Sequence, residues 1–129
     1  MISWSLKKQR VVARSSTEAE YRSLASAATD VLWLQSLFSE LNLQLVGIPV
    51  LWCDNISAKS LAHNPVFHSQ TKHIEVDLHF LRDLVSSGKL DIRYVPTESH
   101  IADIFTKALP ITRFQLLSSN LSLIEIRSA

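Results

Sequence analysis

The 129 residues suffice for one packed domain, and 47% hydrophobic against 19% charged residues exclude a disordered chain. Thirteen basic and twelve acidic side chains leave a net charge of +1, so total charge decides nothing about a polyanionic partner. The one cysteine, Cys53, excludes an internal disulfide, argues against a cysteine-based zinc site and fits a reducing intracellular setting.

In chain order, residues 2–6 alternate apolar and polar side chains and predict a short strand. A basic stretch follows. Up to Arg22 the chain carries Lys7, Lys8, Arg10, Arg14 and Arg22 against Glu18 and Glu20, which reads either as a solvated face or as a phosphate-contacting one. The run Ser15-Ser16-Thr17-Glu18 is a capping box, in which the serine hydroxyl and the glutamate satisfy amides left unpaired in a first helical turn. Apolar residues at helical spacing, Leu24, Ala28, Val31, Leu34 and Phe38, predict a long helix ending near Asn42.

Gly47 and Pro49 punctuate the chain before residues 50–53, Val-Leu-Trp-Cys, a continuous apolar run that predicts a strand buried on both faces, with Trp52 in the core. A short helix is expected over residues 57–63, closed by Asn64-Pro65, and another over 74–85, ending at Gly88. Residues 90–95 alternate as a strand that stops at Pro96. A last amphipathic helix is expected from about His100 to Leu109, and residues 111–129 form a weakly patterned tail, either helical or loose. With two glycines in the chain, hairpin meanders are disfavoured. Strands alternating with helices predict an α/β layered fold in which the strands near Val50 and Leu90 run parallel.

In such sheets reactive groups sit beyond the carboxyl ends of the strands, where Asp54 falls. Around the long helix, at roughly 100° per residue, Glu20 has the phase of Phe38 and lies within about 40° of Leu24 and Val31, which turns it towards the core. Glu18 falls on the polar face, where it caps the helix and pairs with Arg22. Structural alternatives stand beside each functional reading: Glu20 as a second cap to Thr17, Asp54 as a cap of the helix after it, Asp103 as a helix-dipole or surface residue. Carboxylates alone, offering hard oxygen ligands, suit Mg²⁺. The five histidines have spacings that put no neighbouring pair on one helical face, which disfavours zinc. Glycine-loop and serine-hydrolase motifs are absent. Trp33, towards the polar face, is a candidate contact surface. No apolar run approaches the roughly 20 residues of a membrane span, and the start lacks the order of a signal peptide. A soluble protein of the cytoplasm or nucleus is expected.

The segments WSLKKQRVVARSSTEAEYRSLA, LWCDNISAKSLAHNPVFHSQTKHIEVDLHFLR and YVPTESHIADIFTKAL resemble the ribonuclease H region that closes copia-type retrotransposon polyproteins. The likeness runs over residues 2–110, read as a partial ribonuclease H-like domain, and leaves 111–129 as a tail. It implies a mixed sheet with parallel core strands flanked by helices, and it makes residues 2–6 the third strand, so that the first two strands are missing. It implies that Glu20, Asp54 and Asp103 are catalytic and hold Mg²⁺, together with an aspartate on the first strand. Residues 1–17 contain no Asp or Glu.

The implied substrate is an RNA–DNA hybrid, with Lys7, Lys8, Arg10 and Arg14 on its phosphates, and the implied partner is the reverse transcriptase part of the parent polyprotein. Lys72, His68 and His73 match a family stretch and point to packing or phosphate contact, and His100 is a candidate for assisting product release. The contrasting expectation is an inactive nucleic-acid-binding or structural remnant of a degraded element.

Overall fold

The computed structural model describes residues 3–9, 12–63 and 72–121. Helix α1, Ser16–Glu40, begins where the capping box predicts it. Ser15 is extended, and its Oγ accepts the Glu18 N–H at 3.1 Å. The reciprocal bond differs by one residue from the usual box, because Glu18 Oε2 accepts from the Arg14 N–H at 2.8 Å. At the other end Asn42 adopts φ 56°, with Asn42 N–H bonded to Ser39 O and Leu43 N–H to Phe38 O. That is a Schellman closure, with asparagine in the left-handed position that glycine usually fills.

Strand β1, Val50–Cys53, pairs in parallel with β2, Asp91–Tyr94, in the register Val50↔Asp91 to Cys53↔Tyr94. The crossover between them holds α2, Ile56–His63, and α3, Lys72–Ser86. Gly88, at φ 68°, closes α3 in the same manner as Asn42 closes α1, with Lys89 N–H on Leu84 O. The closure of α2 at Asn64-Pro65 lies outside the described residues, as does His68.

The described chain divides into two compact units. Residues 13–94 carry the core: Tyr21, Leu24, Ala25 and Ala28 of α1, Cys53, Ala58 and Ala62, Leu78, Leu81 and Leu84 of α3, Leu90, and Ile92 of β2. Tyr21 ties α1 to α2, its hydroxyl donating to Ala58 O at 2.8 Å, and burial pushes that hydroxyl well above its ordinary pKa despite the Arg82 guanidinium. The second unit takes the described residues before Ala13 and those from Val95 onward. It contains a 3-10 turn, Thr97–Ser99, the one-turn helix α4, Asp103–Thr106, and α5, Ile111–Ser119.

Several expectations need correction. Residues 3–9 form no strand; an alternating pattern makes a strand only where a partner accepts its ladder, and the described sheet contains β1 and β2 alone. Trp52 is 54% exposed rather than core, because β1 is packed by helices on one face and Trp52 points away from it. The helix expected over 100–109 is interrupted, with Asp103 as the first residue of α4 and not one turn inside a longer helix. Of the two alternatives left open for the tail, the helical one holds over residues 111–119: α5 carries Leu117, which is fully buried. Trp33 is exposed, as its phase predicts. Among the described residues no helix is long and apolar enough to cross a membrane.

Candidate functional site

In the unit of residues 13–94, Asp54 sits at the bend immediately after β1, beyond the carboxyl end of a parallel strand. The cap that follows falls to its neighbour, since Asn55 Oδ1 accepts the Ala58 N–H at 3.0 Å and so opens α2. Glu20, on the second turn of α1, reaches the same strand end, with Oε2 4.0 Å from Cys53 Sγ. The Cys53 thiol records both acids: burial pushes it up, the Asn55 amide opposes, and the charges of Glu20 and Asp54 push it further up. Two carboxylates thus act on one buried sulfur at the end of β1.

The phase of α1 departs from expectation here. Its buried residues are Glu18, Tyr21, Leu24, Ala25 and Ala28. At roughly 100° per residue Glu18 stands about 70° to one side of that apolar set and Glu20 about 90° to the other. Glu18 is therefore buried, not on a polar face, and tolerates burial because it accepts the Arg14 amide and pairs with Arg22 at 2.9 Å. Glu20 is half-buried at the margin of the core and does not point into it.

In the other unit Asp103 is buried, with both oxygens engaged. Oδ1 lies 2.8 Å from Lys107 Nζ and 3.5 Å from His100 Nδ1, and Oδ2 accepts from the Arg113 guanidinium at 2.7 Å. Arg113 also donates to Thr97 O. Burial removes the surface alternative for Asp103, while its place in the first turn of α4 agrees with the helix-dipole one. Burial acts to raise its carboxyl pKa, but the Lys107 hydrogen bond and the charges of Lys107, His100 and Arg113 outweigh it and hold the group below its ordinary 3.8. The stability linked to a depressed carboxyl is complete above the unfolded value and is lost as pH falls through the folded one. Asp103→Asn is accordingly expected to flatten the acid limb of a stability-versus-pH curve below about pH 4. An unchanged limb in acid titrations followed by circular dichroism would show that these ion pairs do not couple to folding.

Lys7 and Lys8 are exposed and lie outside regular elements, Arg14 is exposed just before α1, and Arg10 lies outside the described residues. Lys107 and Arg113 escaped the sequence reading as partners of Asp103. Lys107 was legible, since it lies four residues on; Arg113 was not, because only tertiary folding of α5 brings it back. The oxygen-only donors Glu20, Asp54 and Asp103 fit a hard divalent cation in kind. At Asp103 such a cation must replace ion pairs already formed.

The chain is similar to retrovirus-related Pol polyproteins of plant transposons. Identity is 48% over 125 residues with that of transposon RE1 and 49% over 125 residues with that of RE2, both of Arabidopsis thaliana. With that of transposon TNT 1-94 of Nicotiana tabacum it is 37% over 115 residues. These alignments cover 97%, 97% and 89% of the chain, which spans only 8–9% of the length of the relatives. No protein-family profile and no solved structure matches.

Proposed function

From the premise that the chain's homologues are copia-type retrotransposon Pol polyproteins, we propose that it is the ribonuclease H region of such a polyprotein, acting on the RNA strand of RNA–DNA hybrids. The observation that carries the reading is that Glu20 and Asp54 both act on the buried Cys53 thiol at the carboxyl end of β1, with Glu20 Oε2 4.0 Å from Cys53 Sγ and Asp54 the residue that follows the strand. We assign Glu20, Asp54 and Asp103 as the metal-binding carboxylates. When bound, a pair of divalent ions activates a water on one ion and stabilises the leaving oxygen on the other.

At the strand end Glu20 and Asp54 lie beside Cys53, whose raised pKa keeps it a neutral thiol and not a rival anionic ligand. Asp103 is kept charged by Lys107 and Arg113. The test is cleavage of a hybrid by the chain joined to an upstream strand segment that carries one further aspartate, with and without Asp54→Asn.

The exposed cations contribute binding without sequence preference in this reading. Changing Lys7, Lys8, Arg10 and Arg14 together to alanine is expected to lower the slope of log affinity against log salt by roughly 2–4, since each phosphate contact releases counterions. A slope unchanged in filter-binding titrations would mark the stretch as a solvated face.

A further inference from the structure

Both oxygens of Asp103, a proposed metal ligand, are held by cations of its own unit. The two cations differ in how firmly they are held. Lys107 is half-exposed on a flexible stem, so its pairing is screened by water and salt. Arg113 is mostly covered, and the same terminal nitrogen that reaches Asp103 Oδ2 also donates to Thr97 O, which fixes it to the 3-10 turn. Its contact with Asp103 is nevertheless one-pointed. A guanidinium usually grips a carboxylate through two parallel N–H groups, whereas the Arg113 Nε, buried, finds no acceptor among the described residues. A buried donor left without an acceptor is costly, so the engaged state is not the best one open to this side chain.

We propose that Arg113 is an internal counter-cation that a divalent ion must displace from Asp103, which makes the docking of α5 a control on the metal affinity of that carboxylate. This rests on the assignment of Asp103 as a metal ligand. A carboxylate buried with no cation would be expensive, and Arg113 supplies the charge while the ion is away. On exchange the guanidinium leaves Oδ2, and the donors not held by Thr97 O are open to another anion. The phosphate of a nucleic-acid strand has the matching chemistry. Residues 111–119 thus serve as part of the site and not as an appended tail.

The experiment titrates Mg²⁺ into the whole chain in the millimolar range and follows two groups by nuclear magnetic resonance, the Asp103 amide and the Arg113 Nε–H. In the wild type both are expected to move with one midpoint. Arg113→Gln is expected to lower the midpoint about threefold to tenfold, as removal of one partly screened competing charge should, while Arg113→Lys stays within about twofold of wild type. Movement of Asp103 with Arg113 still, or a midpoint unchanged or raised in Arg113→Gln, overturns the proposal and leaves the metal assignment standing. No movement of Asp103 in any of these proteins, either alone or joined to the upstream strand segment that carries one further aspartate, removes the metal assignment and the proposal with it. Should Arg113→Gln fail to fold, the comparison of the two wild-type signals decides alone.

Discussion

The chain by itself is expected to leave an RNA–DNA hybrid intact in Mg²⁺, and to cleave it when joined to an upstream segment carrying two strands and one aspartate. Mg²⁺ demands near-octahedral oxygen ligation and gives up water reluctantly, so ligand number governs occupancy. Glu20, Asp54 and Asp103 are three carboxylates, one fewer than the set implied by resemblance to the ribonuclease H region. No acid before Glu18 can serve as the fourth, and Glu18 is committed to the Arg14 amide and Arg22.

In the joined protein Asp54→Asn should lower cleavage on the order of 10²–10³-fold or more, the scale seen when one preorganised electrostatic group is removed from an active site. Asparagine in place of the added aspartate should do the same. Asn55, which opens α2, is untouched by Asp54→Asn, so folding should be preserved and a circular dichroism spectrum can confirm it. Strong cleavage by the unjoined chain, abolished by Asp54→Asn, would show that three carboxylates suffice. Cleavage by the joined protein that survives Asp54→Asn would remove Asp54 from the site.

The largest expected loss of stability follows Leu81→Ala. Leu81 is fully buried on α3, within the cluster that joins α1, α2, α3 and both strands. Truncation removes the transfer energy of three carbons and leaves a cavity, together about 2–5 kcal/mol. Total stabilities of small domains are about 5–15 kcal/mol, so such a loss consumes much of the margin. A sheet of two strands offers little to replace it, because β1 and β2 rely on α1 and α3 to cover one face. Val76→Ala on the same helix, at a site 68% exposed, should change stability by no more than about 0.5 kcal/mol. Denaturant midpoints measure both. A Leu81→Ala loss below about 1 kcal/mol would show that the cluster relaxes around the missing side chain and is not close-packed.

What the sequence by itself determined is what neighbouring residues decide among themselves. Ser15 and Glu18 start α1, Asn42 and Gly88 close α1 and α3, and the apolar run at 50–53 with the alternating run near 90–95 yields two parallel strands, with Asp54 at the end of the first. Each rests on chain-local hydrogen bonding or on left-handed backbone that a short side chain permits, and both are written in a few adjacent letters.

Only the tertiary structure decided which faces find partners. The phase of α1 taken from Leu24, Val31, Leu34 and Phe38 turned Glu20 inward and Glu18 outward, while the packing of Tyr21, Ala25 and Ala28 against α2 and α3 shifted the buried face and reversed the order. Trp52 came out exposed because its burial depended on what would cover the second face of β1, which apolarity alone cannot specify. The described residues 3–6 of the alternating stretch have no ladder. Arg113 met Asp103 across ten residues because α5, with Leu117 buried, packs back against α4. No periodicity marks such a contact, since hydropathic spacing fixes which side chains share a face and leaves open what that face will meet.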